Sequence, residues 1–322
     1  MNVLVTGGAG FIGSHVADRL LARGDRAVVL DDFDDFYDPA VKRRNVAPHA
    51  GDSRYRLVEG DIRDRALVLR LFEEERFDAV VHLAARAGVR PSLANPALYE
   101  EVNGLGTLHL LEAAAAHGKP RFVFGSSSSV YGLGARIPFA EDDPADRPIS
   151  PYAATKRAGE LHVFTAHHLH GLDALCLRFF TVYGPRQRPE MAIARFIGAI
   201  ERGDAIPVFG DGSSRRDYTY VDDIVDGVEA ALKETRGFDI INLGGSRPVT
   251  LAALIAEIER ATGRTARIDR RPDQPGDVPV TFADVRRARE RLGFEAKVPL
   301  AEGIRRSVAW HRGSALAGAA AR

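Results

Sequence analysis

Seven residues constrain this chain more than any others: Gly7-Gly8-Ala9-Gly10-Phe11-Ile12-Gly13, directly after the strand-like run Val3-Leu4-Val5. Glycine there lets the backbone turn tightly and lets N–H groups approach a pyrophosphate at the positive end of the helix that opens at Phe11 and Ile12. Asp31 and Asp32 close the second strand-like run. A carboxylate at that place accepts ribose hydroxyls and repels a 2′-phosphate, so the expected cofactor is NAD rather than NADP. Asp61-Ile62, after the third run, is positioned to bracket the adenine, although an Asp there serves equally as a helix N-cap.

Short β-rich runs at 3–6, 26–30, 56–58, 79–82, 122–124 and 172–177 alternate with helical stretches, one of them expected over 152–170. Such alternation predicts an α/β fold with a doubly wound parallel sheet, the Rossmann arrangement. Beyond residue 180 the pattern breaks. Segments rich in Pro, Gly and Arg at 183–189, 210–216 and 270–279 separate helices expected near 192–202, 222–233 and 251–262. The expected organisation is an NAD-binding domain of 1–180 plus about 216–240, and a smaller, discontinuous α/β substrate-binding domain of about 181–215 plus 241–312. The last ten residues, 313–322, read as a flexible tail. A chain of 322 residues is long enough for two cores rather than one.

The 44 basic and 44 acidic side chains cancel, leaving no global field to draw nucleic acid or an anionic membrane. Neither is an expected partner, and an anionic ligand must be met by a local cluster. No apolar run approaches bilayer length, and no basic leader precedes the first strand. The single cysteine, Cys176, lies in Ala174-Leu175-Cys176-Leu177, which predicts a buried thiol and excludes an intrachain disulfide. A cytoplasmic protein is expected, and no metal site is read.

Tyr152 and Lys156 are four apart near the start of a helix, so they project from one face about one turn apart. A phenol, with an ordinary pKa of about 10, becomes a usable base when an ammonium and a positive nicotinamide ring favour its phenolate. It can then remove a hydroxyl proton while hydride leaves the same carbon. Ser126-Ser127-Ser128-Ser129, just past the fifth strand, can set a hydroxyl beside the reacting oxygen.

Taken together, Gly7-x-x-Gly10-x-x-Gly13, Asp61-Ile62, His82-Leu83-Ala84-Ala85, Asn103, Ser127 with Val130-Tyr131-Gly132, and Tyr152-x-x-x-Lys156 resemble the extended short-chain dehydrogenase/reductases from residue 1 to about 310. Within that family, residues 32–39, Ala87-Gly88-Val89-Arg90, 126–132, 178–185, Arg188-Pro189-Glu190-Met191, Arg216-Asp217-Tyr218 and Gly276-Asp277-Val278-Pro279 are similar to UDP-glucuronate 4-epimerases. The resemblance implies an NAD-dependent 4-epimerase of UDP-sugars. Ser127 would bond the sugar O4, Tyr152 would be the acid/base, and Lys156 would hold the nicotinamide ribose. Gly7, Gly10, Phe11, Ile12, Gly13, Asp31, Asp32, Asp61, Ile62, Leu83, Ala84, Ala85 and Asn103 would surround the dinucleotide. On the substrate side the resemblance implies Thr181, Ser128, Ser129 and Arg90 near the sugar, Arg216 on the UDP phosphates and Asp277 on ribose hydroxyls. A uronate carboxylate would meet Arg188, with Arg186 and Arg195 as nearby alternatives. A homodimer through helices near 95–117 and 152–170 is implied as well.

The implied cycle is hydride loss from C4 with proton loss to Tyr152, rotation of the 4-keto sugar, and hydride return to the opposite face. A uronic acid oxidised at C4 is a β-keto acid, prone to lose carbon dioxide. Positions 128 and 129, where related 4,6-dehydratases carry Asp-Glu and decarboxylases a Glu, are both serine, which favours epimerisation without decarboxylation. The alternatives are a UDP-glucose/UDP-galactose 4-epimerase with a neutral sugar pocket, and a non-catalytic NAD-binding scaffold. Intact Ser127, Tyr152 and Lys156 argue against the scaffold.

Overall fold

The structure, a computed structural model, describes residues 1–272 and 280–320, with side chains through 314. In chain order its first half contains β1 (Asn2–Thr6), α1 (Phe11–Ala22), β2 (Arg26–Asp31), α2 (Pro39–Val46), β3 (Tyr55–Glu59), α3 (Arg65–Glu74), β4 (Ala79–His82), α4 (Val89–Ala94), α5 (Pro96–Tyr99), α6 (Gly106–Ala116) and β5 (Arg121–Ser127). Then follow α7 (Pro151–His170), β6 (Ala174–Phe179), β7 (Thr181–Tyr183), α8 (Ala192–Arg202), β8 (Ala205–Phe209), β9 (Arg215–Tyr220), α9 (Val221–Glu234) and β10 (Phe238–Leu243). The remainder is β11 (Pro248–Thr250), α10 (Leu251–Thr262), β12 (Arg267–Arg271), β13 (Val280–Thr281), α11 (Arg286–Leu292) and α12 (Leu300–Ala320).

Seven strands form one parallel sheet in the order β10-β6-β5-β4-β1-β2-β3. The doubly wound arrangement is as the alternation predicts. Val3, Leu4 and Val5 are all fully buried because both faces are covered by helices. Successive side chains go to opposite faces: Val3, Val5, Val29 and Val81 pack with α1 and α9, whereas Leu4, Val28, Leu30 and Val80 pack with α3, α6 and α7. The cluster on the α1 side continues without a break through Ile197, Ile206 and Leu254 of the smaller layer. The sheet, rather than a domain boundary, therefore divides the apolar interior, which differs from the expectation of one core per domain.

The smaller layer holds β9 between β11 and β13, with β7 pairing β9, and β8 pairing β12. It sits at the C-terminal edge of the parallel sheet, because β7 follows directly on β6. Helix α9 returns to pack on α1 and β5, and β10 then adds the outermost strand of the large sheet.

Helix α7 is fixed at both ends. Ser150 accepts a hydrogen bond from the Ala153 N–H at 3.1 Å, Pro151 occupies the first helical position, and Gly171 closes the helix in the left-handed region at φ 67°. This start puts Tyr152 on the first turn and Lys156 on the next. Cys176 is a free thiol, fully buried in β6, as its apolar neighbours predict. No described helix is long and apolar enough to cross a membrane.

Candidate active site

A cleft of about 410 Å³ opens at the C-terminal edge of the sheet, lined by the loops after β1, β2, β4, β5 and β6. Ligands bind at that edge in open parallel sheets. Its floor is the glycine turn. A Cβ on Gly13 would lie 2.2 Å from the Gly7 carbonyl oxygen, and one on Gly7, at φ 69°, would lie 2.7 Å from the Ala84 nitrogen. Only glycine permits this close approach, which leaves a cradle for a ligand at the start of α1.

The predicted dinucleotide residues Gly7, Gly10, Phe11, Ile12, Gly13, Asp31, Asp32, Asp61, Ile62, Leu83, Ala84 and Ala85 all line this cleft. Asp31 is buried; its Oδ2 accepts from the Ala9 N–H at 3.0 Å and its Oδ1 from the Phe33 N–H at 2.9 Å. The carboxylate thus pins the glycine turn to the loop after β2 while retaining lone pairs for a ribose. Arg43, on α2, stacks over Phe33 and pairs with Glu59. Lys42 was not foreseen: its ammonium lies 3.8 Å from Asp31 Oδ1 and lines the cleft. Asn103 stands behind the wall rather than in it. Its amide clamps the Arg86 backbone, accepting from the N–H at 2.8 Å and donating to the carbonyl at 3.0 Å, and donates to Thr155 Oγ1 at 3.0 Å.

Ser127, Ser128, Ser129, Tyr152, Lys156, Thr181 and Arg188 meet on the opposite wall. Strand β5 runs through Ser127, so Ser126 and Ser127 belong to the strand end rather than to the loop past it. Ser127 donates to Ser129 Oγ at 3.1 Å and lines the cleft beside Tyr152. Burial pushes the Tyr152 phenol above its ordinary pKa, and the neighbouring Ser127 hydroxyl and the Arg188 charge act against that. Lys156 is buried, donates to the Gly125 carbonyl at 2.7 Å and lies over Phe124. Burial brings its pKa down to about 8, with Glu160 opposing the shift. Arg188 pairs with Glu190 at 3.2 Å and lies over the Phe36 ring.

Other expected substrate residues lie elsewhere. Arg90 is exposed on α4, its guanidinium over Phe209, and Arg195 is exposed over Phe196. Arg216 donates to the Arg215 carbonyl. None of the three lines the cleft, and Asp277 lies outside the described residues. Asp217 turns away from the neighbouring arginine and accepts from the backbone N–H groups of Gly245, Ser246 and Ala283. Sequence reasoning also missed Arg86, Asp34 and Phe36 in the cleft wall, and Glu160, which is buried and bonded to the cleft residue Ser126. Glu160 had a signal: it is four residues past Lys156, on the same helix face.

Residues 4–307 match the family described as GDP-mannose 4,6 dehydratase. A UDP-glucuronate 4-epimerase of Thermodesulfobacterium geofontis is 43% identical over 310 residues, covering 96% of this chain and 95% of that one. A crystal structure of the UDP-glucuronic acid 4-epimerase from Bacillus cereus, in complex with UDP-glucuronic acid and NAD, superposes with a TM-score of 0.90 at 34% identity. The match covers 98% of this chain and all of that one. A UDP-glucose 4-epimerase of Thermotoga maritima with UDP-glucose gives the same TM-score and identity, over 98% and 100% of the two chains.

Proposed function

The chain belongs to the GDP-mannose 4,6-dehydratase family of NAD-dependent epimerases and dehydratases, and from that premise we propose that it is a UDP-glucuronate 4-epimerase. It interconverts UDP-glucuronate and UDP-galacturonate through a 4-keto sugar, without decarboxylation, using bound NAD. The observation that carries this reading is Arg188, a guanidinium in the same cleft as Ser127 and Tyr152 and near enough to act on the phenol. Its contact with Glu190 leaves donors for a substrate carboxylate. The relatives named for UDP-glucuronate support the substrate class, and the glycine cradle with Asp31 supports the cofactor.

NAD, when bound, supplies a hydride acceptor. The chain's own residues supply the rest. Tyr152 takes the O4 proton and returns it, with Ser127 holding the oxygen in line. Lys156, buried one turn along α7, is assigned by family likeness to the nicotinamide ribose and to favouring the Tyr152 phenolate. Arg188 holds the carboxylate out of alignment with the C4 ketone. Ser128 and Ser129 offer no carboxyl to protonate C5. Arg216 on the diphosphate and Asp277 on the uridine ribose are assigned by family likeness.

We further propose a homodimer, because Leu105, Leu108, Leu161 and Phe164 expose apolar side chains along the helical segments before and within α6 and on α7. A cytoplasmic setting is supported by the lone buried thiol. The test is parallel incubation with UDP-glucuronate and UDP-glucose, with products identified by proton NMR. The reading expects UDP-galacturonate as the main product and slower turnover of the neutral sugar; faster turnover of UDP-glucose would replace it with galactose epimerisation.

A further inference from the structure

An ion pair spans the glycine turn. In the sheet, β1 lies between β4 and β2, so the loops leaving β4 and β2 flank the turn that leaves β1. Asp34, three residues past the end of β2, pairs through Oδ1 with Nη1 of Arg86, four residues past the end of β4. Both residues line the cleft together with Gly7, Gly10 and Gly13. The pair therefore joins the two flanking loops across the place where the turn receives its ligand.

Both halves of this bridge are braced. Asn103 holds the Arg86 N–H and carbonyl from behind. Asp34 Oδ1 also accepts from the Phe36 N–H at 2.8 Å, and the Asp34 N–H donates to Asp32 Oδ1 at 3.0 Å. The guanidinium rests over the Phe36 ring, 5.4 Å from its centroid. Arg86 Nε is buried and finds no hydrogen-bond partner among the described residues. The guanidinium is therefore held through Nη1 against Asp34 and by its face against Phe36, with Nε turned away from the open cleft.

Proton transfer at Tyr152 does not need this bridge. Cofactor retention does benefit from it: an epimerase that returns its hydride in every cycle gains nothing by releasing the dinucleotide. We infer that Asp34 and Arg86 form a retention clasp, an ion pair that closes the loops after β2 and β4 over bound NAD. The inference rests on the NAD reading above. The two side chains are 19% and 26% exposed, so the clasp is shielded enough to hold yet can open to solvent.

The test follows NAD exit from, and entry into, the purified full-length protein for the wild type, Asp34→Asn, Arg86→Met and the double variant. Exit is read as loss of bound nucleotide to an excess of an NAD-degrading enzyme, and entry as binding of added NAD after stripping. The clasp predicts that Asp34→Asn speeds exit about five- to tenfold. Arg86→Met should speed it at least as much, and adding Asp34→Asn to Arg86→Met should change it by less than about twofold. A clasp opens both ways, so entry should also be faster in Asp34→Asn. A damaged site would speed exit and slow entry, which would overturn the clasp. So would exit rates equal to wild type, or an Asp34→Asn effect that persists in full without Arg86. A wild-type protein that neither retains nor takes up NAD would overturn the cofactor reading itself, a result distinct from any of these.

Discussion

Arg178 and Glu160 meet out of water: the guanidinium Nε donates to Oε1 at 2.8 Å and Nη2 to Oε2 at 2.9 Å, with the side chains 1% and 0% exposed. Ser126 donates to the same carboxylate at 2.6 Å and Arg157 at 2.9 Å. One carboxylate thus ties β5, which carries Ser127, to α7, which carries Tyr152 and Lys156, and to β6, which leads to Thr181. Burial acts to raise its pKa, but the Arg178, Ser126 and Arg157 donors outweigh it and hold Glu160 below the ordinary range.

Glu160→Gln should therefore destabilise the fold by about 3–5 kcal/mol at neutral pH, because it leaves the Arg178 charge buried and uncompensated. Denaturant unfolding measures this directly. The stability contributed by a depressed carboxyl is present above its unfolded pKa and is lost as pH falls through the folded value. The gap between wild type and variant should accordingly narrow on acidification below about pH 4. A gap that is small or independent of pH would mean that the contact is not an ion pair.

Lys156 presents the opposite case. A fall from the ordinary lysine value to about 8 corresponds to a cost of roughly 3 kcal/mol for burying the ammonium. The unfolded chain binds the extra proton between the folded and unfolded pKa values, so this cost is full below about pH 8 and is relieved as pH rises toward the lysine value. Lys156→Met should raise stability at pH 7 by about 1–3 kcal/mol, with the advantage shrinking between pH 8 and about 10.4, while turnover collapses. Equal stability of the two proteins across that range would place the ammonium in a better-solvated site.

Tyr152→Phe keeps the ring but not the proton. Turnover should fall by at least about a hundredfold, the range general acid/base groups supply, while the NAD content of the purified protein stays unchanged. Retention of substantial activity would remove Tyr152 from the acid/base role.

Arg188→Ala should lower kcat/KM for UDP-glucuronate about ten- to a hundredfold, the equivalent of one charge-assisted hydrogen bond, and leave any UDP-glucose turnover nearly unchanged. Equal losses on both sugars would assign Arg188 to the phenol or to the fold rather than to a carboxylate.

Legibility in the sequence followed distance along the chain. Gly7, Gly10 and Gly13, the Tyr152–Lys156 spacing and the strand–helix alternation are local patterns, and the structure gathers them into one cleft. Asp34 with Arg86, Lys42 with Asp31, and Glu160 with Arg178 are products of strand order and loop packing, which no periodicity encodes. Arg90 shows the same limit from the other side. It is two residues past Gly88, a cleft residue, yet α4 carries it outward over Phe209, while Arg86 takes the inward position. The separate core expected for the smaller layer failed because β7 continues straight from β6, so its apolar residues join those already packed on the large sheet.

Inverting one carbon of a uronic acid sugar by hydride removal and return at bound NAD, with the carboxylate kept intact, leaves a label on that carbon in place. Incubation with UDP-glucuronate deuterated at C4, in ordinary water and without added NAD, tests it most directly. The expected product is UDP-galacturonate that retains deuterium at C4, with no carbon dioxide released. Loss of the label to solvent, or release of a UDP-pentose, would contradict it.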